Sequence, residues 1–166
     1  MKKAEVISPE ETSRGFEIPA DILPKKICFV CTGNTCRSPM AAAVLNHYGR
    51  DKGYQAVSAG LSVYSPHGIS QNAEIALKHR GIVPTEGNRY DLHTSRQIDE
   101  NILSECDRVI GITESHAMSL IFAYPQFASK IYPMDKDISD PYGGDEDVYI
   151  SCLDDIIEAV RSMFVL

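Results

Sequence analysis

The chain alternates short runs of apolar residues with longer stretches in which apolar positions recur every three or four residues. The short runs are typical of buried β-strands, and they lie at residues 25–30, 55–60, 108–113 and 129–134. The longer stretches indicate helices at residues 38–53, 69–82, 99–107, 114–125 and 148–166. Because strands that alternate with helices form βαβ units, the pattern predicts an α/β fold with a parallel sheet covered by helices on both faces.

Turn and capping residues indicate where two of these helices begin and end. Ser38 is predicted to cap the first helix, Pro39 to occupy its first helical position, and Gly49 or Gly53 to end it. Three consecutive acidic residues, at 145–147, are expected at the start of the last helix, where negative charge interacts favourably with the helix dipole.

Length, composition and charge narrow the class of protein. Residues 1–24 are polar and interrupted by prolines and a glycine, so we interpret them as an N-terminal tail or arm and residues 25–166 as one domain. The net charge of −7 argues against a broad nucleic-acid surface, and no apolar run has the length of a membrane span. The N-terminal lysines are not followed by the apolar segment of a signal peptide, so we expect a cytoplasmic protein.

Two polar loops are expected at the same edge of the sheet. The sequence "VCTGNTCRS", residues 30–38, follows the first predicted strand, and the acidic "DKDISDPYGGDED" follows the fourth. In open α/β sheets, ligands bind beyond the carboxyl ends of the strands, which is where both loops lie. The chain has five cysteines, and this odd number disfavours a disulfide framework and leaves catalytic, redox-active or buried thiols.

The loop after the first strand has the chemistry of an anion site. Gly33 and Asn34 both tolerate positive φ, so successive backbone N–H groups can turn inward. The helix that follows Ser38 points the positive end of its dipole at the same place, and Arg37 supplies a planar fork that matches two phosphate oxygens. These groups favour a thiolate at Cys31. A thiolate beneath a bound phosphoryl group is a nucleophile directed at phosphorus.

Metal sites are not favoured by the sequence. Cys28 and Cys31 have the spacing of half a zinc site, but residues three apart in a strand point to opposite faces, and no second pair of suitable spacing follows. Cys28 is instead expected in the core. Asp135 and Glu146 fall at the first and last positions of a calcium loop, but Asp140 occupies the position that needs glycine. We therefore expect no metal and no other cofactor.

The segment "VCTGNTCRSPMA" resembles the phosphate-binding signature of the low-molecular-weight protein tyrosine phosphatase family. "VSAG", "HTSRQI" and "DPYGG" follow in the order typical of that family, and the resemblance covers roughly residues 25–164. It implies a doubly wound four-stranded parallel sheet. It also implies a phosphatase that forms a cysteinyl-phosphate intermediate, with phosphorylated proteins as substrates and phosphate or other oxyanions as ligands of the loop.

The same resemblance implies a role for each residue of the candidate site. Cys31 is the nucleophile, Arg37 binds the phosphoryl oxygens, and Asp140 protonates the leaving group and then activates water. The other loop residues are expected to bind the phosphoryl group or to hold the loop, and they are Thr32, Gly33, Asn34, Thr35, Cys36 and Ser38.

Four residues outside the loop complete the predicted site. Ser58, in "VSAG", is expected to support the loop and the thiolate through hydrogen bonds, and His93 to join that network. Tyr142 and Tyr64 are expected to form the two walls of the entrance. The remaining histidines, His116 among them, are interpreted as surface or packing residues.

The substrate class depends on residues that differ within the family. Thr35 resembles the protein arginine phosphatase branch, because tyrosine phosphatases usually carry a larger aliphatic residue there. A hydroxyl at this position and the Asp140 carboxylate suit a guanidinium, so phosphoarginine is favoured and phosphotyrosine is the alternative. Arsenate reductases share the loop but need two further cysteines close together, an arrangement that Cys106 and Cys152 do not match.

Two further alternatives for the loop are a disulfide that protects Cys31 and a noncatalytic role in phosphate binding. Cys36 either forms a reversible disulfide with Cys31 or packs beneath the loop, and the sequence favours neither. A noncatalytic phosphate-binding module would be expected to have lost Cys31, Arg37 or Asp140, and all three are present. The sequence makes no prediction about the oligomeric state.

Overall fold

Four parallel strands form the sheet of the computed structural model, which describes residues 26–166. The predicted tail at residues 1–24 lies outside the described residues. The strands are β1 (Lys26–Cys31), β2 (Gln55–Gly60), β3 (Arg108–Gly111) and β4 (Ile131–Pro133). Their order across the sheet is β2-β1-β3-β4, and every neighbouring pair is parallel.

Five α-helices cover the sheet in the described part of the chain, and they are α1 (Arg37–Tyr48), α2 (Gln71–His79), α3 (Glu100–Glu105), α4 (Glu114–Ala123) and α5 (Glu146–Phe164). Ile27 and Phe29 of β1 face the core that α1, α2 and α5 cover. Cys28 and Val30 face the opposite core, beneath α3 and α4. Because side chains alternate along a strand, burial of both faces explains the uninterrupted apolar run of β1. The predicted doubly wound α/β fold is confirmed, as is the core position of Cys28.

The start of α1 differs from the prediction. The helix begins two residues earlier than expected, with Cys36 as its N-cap and no side-chain hydrogen bond at that cap. The prediction that Ser38 caps the helix is therefore wrong, and Pro39 occupies the third helical position rather than the first. The physical reason is that the Ser38 hydroxyl is already engaged, because it bonds to the side chains of Cys31 and Asn34 within the loop.

The other helix ends follow from capping residues. Gly49 is the C-cap of α1, and Gly53, at a φ of 84°, ends the short 3₁₀ turn that follows. Asp145 caps α5, because its carboxylate accepts a hydrogen bond from the backbone N–H of Val148 at 3.0 Å. The acidic residues expected at the start of the last helix are thus confirmed there. No helix among residues 26–166 has both the length and the apolar character needed to cross a bilayer.

Candidate active site

A cavity of about 210 Å³ opens at the carboxyl edge of the sheet, where β1 ends. Residues 31–37 line it together with Asp140 and Tyr142 from the loop between β4 and α5. The two polar loops that the sequence placed at one edge therefore enclose a common space. A concave site with a few convergent polar groups is typical of a catalytic centre.

Asn34 holds the loop in shape from inside. Its φ is 57°, in the left-handed region that asparagine adopts more readily than most residues, and its side chain is fully buried. The side-chain amide donates to Ser38 Oγ at 2.8 Å and to Ser58 Oγ at 2.9 Å. Its oxygen accepts from the backbone N–H of Arg96 at 3.0 Å, and its backbone carbonyl accepts from His93 Nε2 at 2.8 Å. The buried polar groups of this residue are thus satisfied.

The sulfur of Cys31 receives a hydrogen bond that this network directs. Ser38 Oγ lies 2.9 Å from Cys31 Sγ. Because Ser38 Oγ already accepts from Asn34, its own hydrogen is available to the sulfur or, at the longer distance of 3.4 Å, to the carbonyl of Ala59. A hydroxyl that donates to sulfur stabilises negative charge on it. The contact therefore suits the thiolate, which is the nucleophilic form.

Arg37 joins two loops: the loop at residues 30–38, called the phosphate-binding loop after the family signature that it resembles, and the acidic loop at residues 135–147. Its guanidinium is largely buried, and Nη1 donates to the carbonyl of Ile138 at 3.0 Å. Nη2 lies 3.6 Å from Asp140 Oδ2, while the Asp140 side chain itself is 58% exposed. The Asp140 carboxylate also accepts from the backbone N–H of Tyr142 at 3.1 Å. The cavity thus has the Cys31 sulfur at its floor and the Asp140 carboxylate at its mouth, an arrangement compatible with nucleophilic attack and with acid catalysis on a departing group.

The two tyrosines predicted at the entrance are placed differently. Tyr142 lines the cavity and is 85% exposed. Tyr64 is 97% exposed and is not among the residues that line the cavity, so its role as a second wall stays a prediction. Thr35 lies on the cavity wall and is half-buried.

Cys36 packs beneath the loop in this structure. Its sulfur lies 3.4 Å from Ser70 Oγ and 3.4 Å from the hydroxyl of Tyr149. Burial, together with the contact to Cys36, raises the pKa of Tyr149 to about 12, so the phenol stays protonated. Cys31 and Cys36 are both free thiols. The structure shows the packed alternative for Cys36, and a reversible disulfide with Cys31 stays the other alternative.

Cys152 and Cys106 lie outside the cavity around Cys31. Burial raises the pKa of Cys152 to about 12, so that it remains a thiol, and its sulfur lies 3.7 Å from the carbonyl of Ser139. Cys106 packs with Cys28 in the core beneath α3 and α4.

His116 is the site residue that sequence reasoning missed. It is buried at the start of α4, where packing was expected, but its Nε2 also lies 2.9 Å from the hydroxyl of Thr32 in the phosphate-binding loop. Its Nδ1 accepts from the backbone N–H of Thr113 at 3.2 Å. The sequence signal was the spacing of a capping box, in which Thr113 is followed three residues later by the polar side chain of His116.

Comparison with known proteins assigns the chain to a family. Residues 26–165 match the sequence profile described as low molecular weight phosphotyrosine protein phosphatase. The chain belongs to this family. The resemblance seen in the sequence is confirmed, and the protein is a cysteine-dependent phosphatase.

Similar proteins are named for different activities. This phosphatase is 33% identical to a protein-arginine-phosphatase of Geobacillus stearothermophilus over 141 residues, which cover 81% of this chain and 90% of the relative. It is 34% identical to an arsenate reductase of Bacillus cereus over 137 residues, which cover 82% and 92%. Among solved structures, the arginine phosphatase YwlE of G. stearothermophilus matches with a TM-score of 0.74 at 31% identity, over 84% of this chain and 90% of that chain.

Proposed function

We propose that this phosphatase removes phosphoryl groups from phosphoarginine in proteins, through a cysteinyl-phosphate intermediate. The observation that carries the proposal is the position of Thr35, whose side chain lines the same cavity as the Asp140 carboxylate. The similarity to arginine phosphatases supports it. Five free cysteines support our further proposal that the protein works in the cytoplasm, where thiols stay reduced.

The first chemical step transfers the phosphoryl group to the enzyme. The Cys31 thiolate attacks phosphorus, a bond between sulfur and phosphorus forms, and the bond from phosphorus to the guanidine nitrogen breaks. Asp140 gives its proton to the departing nitrogen, which leaves as arginine. Arg37 and the backbone N–H groups of the loop stabilise the negative charge of the three equatorial oxygens.

The second step releases phosphate. Asp140, now a carboxylate, takes a proton from water as the water oxygen attacks phosphorus. The bond between sulfur and phosphorus breaks, and the Cys31 thiolate returns. Because the Asp140 side chain lies at the mouth of the cavity and is more than half exposed, water reaches it without rearrangement of the loop.

The preference for a guanidinium follows from polarity at two points of the cavity. Half-buried at the wall, Thr35 offers a hydroxyl where a larger aliphatic residue would offer only apolar surface. The Asp140 carboxyl, protonated for the first step, donates to the nitrogen that departs, and its second oxygen accepts a hydrogen bond from a neighbouring guanidine N–H. A phosphotyrosine ring gains nothing from either group.

The decisive experiment compares kcat/KM on two peptides that differ only in carrying phosphoarginine or phosphotyrosine. We expect the wild-type enzyme to favour phosphoarginine and Thr35→Ile to reduce that kcat/KM about tenfold, the effect of about 1.4 kcal/mol of lost transition-state binding. Thr35→Val is the matched variant, because it removes the hydroxyl at constant size. Cys31→Ser is the inactive control for both peptides. A wild-type preference for phosphotyrosine, or a preference that Thr35→Ile leaves unchanged, would contradict the proposal.

Phosphotyrosine is the second candidate substrate, and Tyr142 is the observation that favours it. This side chain is 85% exposed at the entrance, where its ring can stack on a flat phenyl group. In that case Tyr142→Ala would lower kcat/KM for phosphotyrosine more than for phosphoarginine. An arsenate reductase activity is disfavoured, because neither Cys106 nor Cys152 lines the cavity around Cys31.

A further inference from the structure

We propose that His116 is a positioning residue of this phosphatase, whose Nε2–H holds the Thr32 hydroxyl and so fixes the loop residue next to the nucleophile. The two side chains are 84 positions apart in the chain and meet at 2.9 Å. The proposal rests on the hydrolytic reaction given above. It does not depend on whether the phosphoryl group comes from arginine or from tyrosine.

The hydrogen bonds of the imidazole define which nitrogen carries the proton. Nδ1 accepts from the backbone N–H of Thr113 at 3.2 Å, and it lies 2.9 Å from the hydroxyl of the same residue. A backbone N–H can only donate, so Nδ1 carries no hydrogen. The proton of the neutral ring is therefore on Nε2, and Nε2–H donates to the hydroxyl oxygen of Thr32.

The surroundings of the ring favour this neutral form. Burial lowers the pKa of His116, and the positive charge of Arg37 lowers it further. The carboxylates of Asp137 and Asp140 oppose this effect without reversing it. Glu114, on the same helix, is exposed. The single-donor tautomer thus persists at neutral pH.

Thr32 is held from two sides as a result. Its backbone carbonyl accepts from the backbone N–H of Ser62 at 3.0 Å, beyond the end of β2. Its side chain, which is otherwise exposed at the cavity, is bound by His116 at the start of α4. Because Thr32 directly follows Cys31, a change in its backbone moves the sulfur. Errors of about 1 Å in such positions cost on the order of a hundredfold in rate.

The two nitrogens of His116 have separate tasks. The Nδ1 side completes the capping box of α4, in which the Thr113 hydroxyl in turn accepts from the His116 backbone N–H at 3.2 Å. That task stabilises the helix and needs nothing from Nε2. The bond from Nε2 to Thr32 leads into the phosphate-binding loop, and a residue that served only as a cap would not need it.

Two amide variants separate these tasks. His116→Asn keeps an acceptor near the position of Nδ1 and loses the donor to Thr32. His116→Gln keeps a donor near the position of Nε2, and it also suits the third position of a capping box, so the cap bond from the His116 backbone N–H to the Thr113 hydroxyl is retained. The measurements are kcat/KM on an aryl phosphate, the denaturant midpoint, and the alkylation rate of Cys31 by iodoacetamide at neutral pH.

We expect His116→Asn to retain the wild-type midpoint but to lose about tenfold in kcat/KM, the effect of one hydrogen bond that positions the reacting group. His116→Gln should keep a midpoint close to that of the wild type, because glutamine suits a capping box, and should retain activity within about threefold. Thr32→Val should reproduce the loss seen in His116→Asn, and the double variant should be no worse than either single one. The alkylation rate of Cys31 should fall in His116→Asn and not in His116→Gln.

The proposal is overturned if His116→Asn is as active as His116→Gln, or if both lose activity in proportion to stability. If neither variant folds, Thr32→Ser and Thr32→Val form the replacement pair, since serine keeps the acceptor for Nε2–H and valine does not. Equal activity of those two would also overturn it. The ratio of phosphoarginine to phosphotyrosine hydrolysis tests the substrate instead, and it should be the same in both His116 variants.

Discussion

Replacement of Asn34 by alanine removes the centre of the hydrogen-bond network beneath the phosphate-binding loop. The side chain makes three hydrogen bonds, to the hydroxyls of Ser38 and Ser58 and from the backbone N–H of Arg96. It is fully buried, so water does not replace the lost partners. The alanine must in addition adopt the φ of 57° that asparagine tolerates.

The magnitude follows from these two effects. Three hydrogen bonds at about 1 kcal/mol each give roughly 3 kcal/mol. The left-handed conformation adds about 1 kcal/mol for a residue with a β-carbon and no local hydrogen bond. We therefore expect Asn34→Ala to reduce the free energy of unfolding by about 4 kcal/mol, a large part of the 5–15 kcal/mol of a typical domain. The midpoint of thermal unfolding should fall by roughly 10 °C.

Urea unfolding followed by circular dichroism measures this change, and Asn34→Gly is the matched control. Glycine loses the same three hydrogen bonds but adopts positive φ without strain, so it should be about 1 kcal/mol more stable than the alanine variant. Both variants should lose phosphatase activity, because the Ser38 hydroxyl is then free to turn away from Cys31. A loss below about 1 kcal/mol in Asn34→Ala would refute the view that this network holds the loop.

Three other perturbations test the site. A β-carbon at Gly60 would lie 2.6 Å from the Thr32 carbonyl, so Gly60→Ala should lower the free energy of unfolding in urea by about 1–3 kcal/mol and reduce kcat. Gly68→Ala is the control, because a β-carbon there lies no closer than 3.8 Å to another atom, and it should change neither quantity. Asp140→Asn should slow hydrolysis far more for phosphate esters with poor leaving groups than for p-nitrophenyl phosphate, and equal losses would contradict its role as acid. Burial lowers the pKa of His93 below 6.5, so its contribution to stability is complete above about pH 6.5 and is lost as the pH falls through the lowered value. Urea unfolding of wild type and His93→Gln between pH 7.5 and 5 should show the wild type losing the advantage of its histidine, and parallel curves would exclude this linkage.

The sequence predicts the fold well because β1, at the centre of the prediction, is buried on both faces and the long helices bury one face. The uninterrupted apolar run of β1 and the three-to-four-residue spacing of the helices are direct products of that burial. The order β2-β1-β3-β4 is not contained in those patterns, because the apolar residues of a strand do not specify which strands lie beside it. β4 is shorter than the predicted strand at residues 129–134. Residues 125–130 form 3₁₀ turns, so the strand begins only at Ile131.

The candidate site was predictable where its residues are close in sequence, as within the loop at 31–38. Contacts between distant segments were harder to foresee. Arg96 reaches Asn34 through a backbone N–H, which any residue type supplies and no pattern marks. His116 contacts Thr32 only because α4 begins beside the loop. The Ser38 hydroxyl has two possible uses, and the sequence does not reveal that tertiary contacts outweigh capping.

The contact between Arg37 and the carbonyl of Ile138 has a consequence for how such an enzyme can evolve. In the proposed mechanism the guanidinium of Arg37 binds the oxyanion, and the same group anchors the segment leading to Asp140, two residues later. Proton delivery and affinity for inorganic phosphate are therefore inherited together. A lineage that reshapes the acidic segment to admit a new substrate also alters its own inhibition by product, and both properties must be optimised in the same mutational steps.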